Sequence, residues 1–343
     1  MRLGYGLLTA QHHPADRRPV AALYREAVEY GVFAEAAGFD SVWTSEHHFL
    51  DDAYMASQLP VLAAIAARTH RIRLGTGVLL APMFDPLRLA EDAATVDLLS
   101  DGRLILGLGL GWRAEEFEGF GVPQRTRARR LEGTIAVLRQ AWGDGLVTGD
   151  GRHFHYPEPG LNVTPKPVRG AATPIWIGGG AEPAVRRAGR LADGYIGSGA
   201  SPRALAERTA WVRDEAELAG RDPASIELGV HRMTFAWRGA SAWERVADAA
   251  RYMSWKYEDM DRSRGSRERR LPGPEDAPSP DAVRARMIVG SPEQVADAVR
   301  GYDDTLGPGD SFVFRAHFPG LDPAIQRDAF DTLAEEVLPL LRD

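Results

Sequence analysis

Short apolar runs alternate with helix-period patterns along the whole chain. Residues 3–9 form an apolar run that ends in polar positions, and 18–37 follow with helical spacing and a closing Gly38. Positions 41–44 read as a short strand, 56–69 as an Ala-rich helix and 72–80 as one strand. A helix at 86–99 closes near Gly102, before a strand at 104–108 and a helix at 124–142. The alternation continues with strands at 174–177, 194–197, 226–236 and 311–316, and helices at 182–192, 202–219, 241–256 and 323–341. Strand–helix units in this order predict a parallel sheet. Eight of them favour an α/β fold closed as a (β/α)8 TIM barrel with insertions, in one domain over 1–343, with an open doubly wound sheet as the alternative.

Two stretches break the alternation. Residues 143–173 are rich in Gly and Pro and read as an excursion between the fourth and fifth units. Residues 257–286, dense in Arg, Asp, Pro and Gly, read as a mobile loop between the seventh and eighth strands. Because that loop follows a helix, it belongs to the far face of a barrel unless it folds back over the mouth.

Composition removes several chemistries. The chain of 343 residues has no cysteine, which excludes disulfides, thiolate nucleophiles and cysteine-ligated metal centres. Its net charge of −7 argues against nucleic acid or an anionic membrane as the main partner. Lys166 and Lys256 are the two lysines, and neither sits where Schiff-base catalysis would want it. Every other cation is arginine, so an arginine pair is weak evidence for a phosphate site. The opening MRLGYGLLTAQHH lacks a basic segment followed by an apolar run, and no apolar run reaches the roughly 20 residues of a bilayer span. The expected setting is cytoplasmic.

In a barrel the chemistry sits just after each strand. Those positions hold Gln11, His12 and His13, then Glu46, His47, His48 and Phe49, then Gly77 and Val78, then GLGLGW at 107–112. They continue with Gly178, Gly179 and Gly180, then Ser198, His231 and His317. The triple glycine follows a strand and opens a helix, which suits close backbone approach to a phosphate, although a tight turn alone would also want glycine. GLGLGW does not have dinucleotide-fingerprint spacing. His47 and His48 can serve as acid or base near neutral pH, with Glu46 as a candidate orienting group, or can be packing residues. His12, His13, Glu46, His47, His231 and His317 could instead converge on a metal, as in a barrel hydrolase. The glycine and serine ends of the fifth and sixth strands argue against that.

The order of motifs resembles the bacterial luciferase-like, flavin-dependent monooxygenases. GYGLLTAQ at 4–11 resembles that family's first strand, and AGFDSVWTSEHHF at 37–49 its second strand and catalytic histidine. RIRLGTGVLLAP at 71–82 and DPLRLAEDAATVDLLSDGRLILGLGLGW at 85–112 are similar to its third and fourth strands and the helix between. PIWIGGGAEPAVRRAGRLADGYI at 174–196 is similar to its phosphate loop, and VGSPEQVADAV at 289–299 to its C-terminal end. The resemblance implies reduced FMN supplied by a separate flavin reductase, O2 as co-substrate, a C4a-peroxyflavin, a small organic substrate and a homodimer. It implies His47 as the catalytic residue. Gly77 and Val78 would form a cis peptide beside the flavin ring. Gly109 and Leu110 would lie at its face, and Gly179, Gly180 and Ala181 would form the phosphate loop. Luciferases place side-chain carboxylate, hydroxyl and arginine groups around the phosphate. Here backbone N–H groups would serve, with Arg127 or Arg129 as candidate cations. Gly109 stands where luciferases have a cysteine, so light emission is not implied. Met55, Met83, Trp112 and Phe117 are candidate lining residues, and 257–286 resembles the luciferase mobile lid. Hydride transfer with F420 and flavin binding without turnover are the alternatives within the family.

Overall fold

A computed structural model describes residues 1–342 apart from positions 261, 263, 266, 267, 269, 274 and 275. Eight parallel strands close on themselves: β1 (Arg2–Leu8), β2 (Ser41–Thr44), β3 (Arg73–Thr76), β5 (Leu104–Gly109), β6 (Ile175–Gly178), β7 (Gly194–Ser198), β8 (Glu227–Ala236) and β10 (Ser311–Arg315). β10 bonds both β8 and β1, pairing Arg315 with Met233 on one side and Gly6 on the other. That closure makes the sheet a (β/α)8 barrel and rules out the open alternative. Helices cover the outside, so the strands are buried on both faces and read as continuous apolar runs.

The helices are α1 (Val20–Ala36), α2 (Gln58–Ala66), α3 (Pro86–Leu99), α4 (Ala114–Gly119), α5 (Arg127–Trp142), α6 (Glu182–Leu191), α7 (Pro202–Leu218), α8 (Ala242–Asp259), α9 (Pro280–Arg284), α10 (Pro292–Arg300), α11 (Pro323–Thr332) and α12 (Leu338–Arg342). One local device starts several of them. Asp85, Ser201, Ser291 and Asp322 each accept a hydrogen bond from the first turn with their side chains, and each is followed by proline. The cap satisfies a free N–H, and proline occupies a position whose N–H has no helical partner.

Two tryptophans fill the barrel. The Trp43 and Trp176 rings lie 5.4 Å apart, packed with Leu7, Ile105, Ile196 and Val313. Strand glycines make their room. A Cβ at Gly75 would stand 2.2 Å from the Trp43 ring, and one at Gly194 2.4 Å from the Trp176 ring.

Three features depart from the periodicity. The expected strand 72–80 is two pieces, β3 and β4 (Leu79–Leu80), separated by a cis Gly77–Val78 peptide. α4, α9 and β9 (Ile288–Gly290) are too short to stand out in the pattern, while α10, which buries Val295, Ala296 and Val299 at helical spacing, is an element the strand–helix alternation does not assign. The third difference moves a whole segment. The helix outside the barrel between β8 and β10 is α10, while α8 belongs to an excursion. β9 pairs with Thr234–Ala236, the C-terminal end of β8, so the chain from 237 to 290 leaves from and returns to the mouth. α8 therefore belongs to a strand-to-helix connection that begins and ends at the C-terminal face of the barrel.

The other excursion, 143–173, folds as a small antiparallel pair, with Val147 opposite Leu161 and Gly149 opposite His155. It runs back along α5, where Arg130 lies over the Phe154 ring.

Gly194→Ala should cost about 1–3 kcal/mol through overpacking against Trp176. Gly145→Ala, whose Cβ meets nothing within 4 Å, should change stability by less than about 0.5 kcal/mol. Urea unfolding of both variants checks this; equal midpoints would remove the glycine–indole packing as the reason for the strand glycines.

Candidate functional site

The barrel floor is sealed by the two indoles, and a cavity of about 410 Å3 opens above it at the C-terminal ends of the strands. Leu7, Val78 and Ile196 belong to both the packed floor and the cavity wall. His47, Gly77, Val78, Gly109, Leu110, Gly179, Gly180 and Ala181 all line this one cavity. Ser45, Ser198, His231, Tyr257 and Arg315 line it as well.

Crowding explains the small residues. A Cβ at Gly109 would stand 2.3 Å from Val78 Cγ2, and one at Gly178 2.6 Å from Val78 Cγ1. Glycine on β5 and on the next strand, β6, leaves room for the Val78 side chain to form an apolar shelf. Of the four candidate lining residues, Trp112 faces the cavity. Met55 and Phe117 are instead buried in packing, and Met83 packs against Gly111.

His47 is held by a residue the sequence did not single out. Its Nδ1 lies 2.9 Å from Glu116 Oε1, and the same oxygen accepts the His48 backbone N–H at 3.0 Å. A carboxylate oxygen accepts, so the ring donates from Nδ1 and leaves Nε2 to the cavity. The Glu116 carboxylate is fully buried, and its second oxygen has no partner. Glu46 does not orient His47. It accepts from the Leu80 N–H at 2.7 Å and the Gln58 amide at 3.1 Å, with the His48 ring 3.7 Å away. Glu116 was missed because α4 is a single polar turn with no apolar period.

At the other end of the cavity, Gly179, Gly180 and Ala181 lead into α6. Arg208 of α7 stands beside them, since a Cβ at Gly180 would lie 3.2 Å from its Nη2. Arg127 and Arg129 do not line the cavity, because α4 and the turn after it carry the start of α5 to the outside of the barrel. Arg208 lies mid-helix in an arginine-rich chain, where sequence offers no mark for it.

The third side is basic and aromatic. Tyr257 Oη lies 3.0 Å from Tyr54 Oη and accepts from Arg315 Nη2 at 3.1 Å. Tyr54 also donates to Ser45 Oγ, and its ring lies 5.0 Å from that of His47. Burial pushes the Tyr54 hydroxyl well above the ordinary tyrosine range, so it stays protonated. Burial, helped by the charges of Arg315 and Arg232, pushes His231 down to about 3. His231 is therefore a neutral ring at pH 7.

The six residues of the metal alternative do not converge. Glu46, His47 and His231 line the cavity, but the His12 ring bonds the Asp16 carbonyl, His13 packs on Tyr252, and His317 lies against Tyr30 and Glu26. Among the described residues no group of three or more His, Asp or Glu side chains is placed to hold a metal ion. Of the lid expectation at 257–286, positions 261, 263, 266, 267, 269, 274 and 275 lie outside the described residues. Beside them, Tyr257 lines the cavity and the Met260 carbonyl accepts from Arg113 Nε at 2.9 Å.

The sequence profile of the family described as luciferase-like monooxygenase matches residues 1–307. The chain belongs to that family. Luciferase-like relatives differ in cofactor. An F420-dependent glucose-6-phosphate dehydrogenase of Kineococcus radiotolerans is 29% identical over 361 residues, covering 100% of this chain and 97% of the relative. The oxygenase component of a flavin-dependent trigonelline monooxygenase from Acinetobacter baylyi is 29% identical over 175 residues, covering 50% of this chain and 48% of that protein. The oxygenating constituent of 3,6-diketocamphane monooxygenase from Pseudomonas putida, solved in complex with FMN, has the same fold. Its TM-score is 0.78 at 20% identity, with 99% of each chain covered. This luciferase-like chain is thus an oxidoreductase-family barrel.

A histidine with a lowered folded pKa binds fewer protons than in the unfolded chain between about pH 3 and 6.5. Stability from neutral His231 is present above the unfolded value and is lost as pH falls through that window. Its contribution at pH 5 should be on the order of 2 kcal/mol smaller than at neutral pH. Denaturant curves at both pH values for wild type and His231→Gln test this. An equal pH slope in the two proteins would mean that His231 carries no such linkage.

Proposed function

We propose that the chain is an FMN-dependent monooxygenase, and that His47 is its catalytic residue. One observation carries the reading. A single cavity joins an anion cradle at Gly179–Ala181 and Arg208 to an acid/base pair, His47 with Glu116, across the apolar shelf of Val78. The residues fit FMN. Free backbone N–H groups ahead of α6 and the Arg208 guanidinium suit a phosphate. Gly77, Val78, Gly109 and Leu110 leave a flat, apolar berth for a ring system. When bound, FMNH2 supplies the two electrons that let one atom of O2 join the substrate while the other leaves as water.

The polypeptide binds, orients and shields. His47 Nε2 gives or takes a proton at the reacting face, and Glu116 fixes its ring and tautomer. Trp112 and Tyr257 bound the cavity and limit water at the reacting centre. The reading includes a small organic substrate, a separate flavin reductase and a cytoplasmic setting. Among the described residues no helix is long and apolar enough to cross a membrane. It includes a homodimer too. A groove of about 490 Å3 between α1 and α2, lined by Tyr24, Val28, Pro60 and Val61, supports a second copy there. The full-length likeness to an F420-dependent dehydrogenase favours a second reading, in which the same cavity transfers hydride with F420.

Purified protein titrated with FMNH2 under anaerobic conditions and with F420 separates the readings. FMNH2 should bind more tightly. Rapid mixing of that complex with O2 should give a transient absorbance unlike that of reduced or oxidised flavin. Tighter F420 binding with no such transient would overturn the FMN reading. His47→Ala should lose the transient or its productive decay, and an unchanged course would remove His47 from the mechanism. Arg208→Ala should weaken FMN binding about tenfold or more while leaving riboflavin, which has no phosphate, unaffected.

A further inference from the structure

The least satisfied charge at the cavity is Arg315. It is the last residue of β10 and is 8% exposed. Its Nη2 donates to Tyr257 Oη at 3.1 Å, and its guanidinium lies over the Tyr257 ring at 5.1 Å. Its Nε is buried without a partner. No carboxylate among the described residues pairs with it. The two carboxylates nearest the cavity are committed elsewhere, Glu46 to Leu80 N and Gln58, and Glu116 to His47 and His48. His231, its neighbour on the wall, is a neutral ring and leaves the positive charge unbalanced.

A guanidinium cannot shed its proton to escape burial, as a lysine could. Burying it costs several kcal/mol unless an anion compensates. Two other buried cations of the mouth have that compensation: Lys256 pairs with Asp51 and Asp259, and Arg113 with Glu115. Arg232, equally buried and also without a carboxylate, points away from the cavity and instead donates to the Ala200 and Arg286 carbonyls and the Tyr302 hydroxyl, whereas Arg315 has Tyr257 alone. Arg315 ends β10, two strands around the barrel from β7, which precedes the Arg208 helix, and three from β6, which leads into the Gly179–Ala181 cradle. It is therefore placed for a second anion, distinct from a cofactor phosphate.

We infer that Arg315 is a specificity-determining residue and that the substrate carries a carboxylate, or an equally delocalised oxyanion, which the Arg315 fork and the Tyr257 hydroxyl receive. This rests on the oxidoreductase reading of the cavity but not on which cofactor fills it. Planar two-oxygen anions match the guanidinium fork, and an amide of the same shape would leave Arg315 buried and unpaired. Acids should therefore bind at least about tenfold more tightly than the matching amides.

The test uses benzoate and octanoate against benzamide and octanamide, titrated calorimetrically into the whole protein with and without saturating FMN. Wild type should prefer the acids, Arg315→Gln should lose that preference, and Arg315→Lys should keep part of it. FMN and FMNH2 affinities of Arg315→Gln should stay within about twofold of wild type, which also shows that the variant is folded. Equal binding of acids and amides by wild type, or no binding of any acid, overturns the inference. So does an Arg315→Gln protein that keeps the acid preference but loses FMNH2 affinity, because Arg315 would then serve the flavin. Loss of acid preference with intact cofactor binding leaves the oxidoreductase reading standing. Absence of FMN and F420 binding together sinks that reading instead.

Discussion

Everything at the mouth rests on how the barrel is filled. Two indoles occupy a space that most barrels fill with layers of branched aliphatic side chains. The strands can hold them only because glycine stands at Gly75, Gly194 and Gly229, where a Cβ would overlap a ring. The plug sets the height of the floor, and Leu7, Val78 and Ile196 form its upper surface. From that floor the wall residues take their positions, with Val78 beside Gly109 and Gly178 and with His47 and Arg315 on the cavity lining.

The fold was largely legible because parallel strands covered on both faces give continuous apolar runs, and amphipathic helices alternate with them. The strand at Ser41–Thr44 and the helix at Pro86–Leu99 fall where pattern and breakers put them. The seventh unit misled for a physical reason. α8 is as long and periodic as a barrel helix, because it too buries an apolar face, on its own cluster with Phe235, Met287 and Phe318. Periodicity reports that a helix is half-buried but not what buries it. The site followed the same logic. Residues in glycine or histidine motifs directly after strands were visible. Glu116, Arg208 and Arg315 were not, because an isolated charged residue in a chain this rich in charge carries no local signal.

Buried charge organises the walls. Arg113 is fully buried and reaches the carbonyls of Met260 and His48 as well as the Glu115 carboxylate. One side chain thereby ties the end of α8, the turn carrying His47 and the start of α4. Lys256 does the same between α8 and Asp51. Such groups contribute little net stability, but removing one partner leaves a bare charge in a dry place, at a cost of about 3–5 kcal/mol. Their effect is to make one arrangement of three loops strongly preferred over its alternatives, so that Glu116 and His47 meet.

The routing of α8 separates the molecule into parts with different tolerance to change. Floor and shelf are built from residues that cannot grow without collision, and they lie within the strands. Tyr257 on the cavity wall belongs instead to an insertion that leaves β8 and rejoins beside it through β9, without interrupting the barrel hydrogen bonds. Sequence drift or laboratory recombination in that insertion could therefore exchange what the cavity admits while the machinery below stays fixed. A replaceable wall beside a constrained floor is a physical basis for one barrel scaffold admitting chemically different ligands.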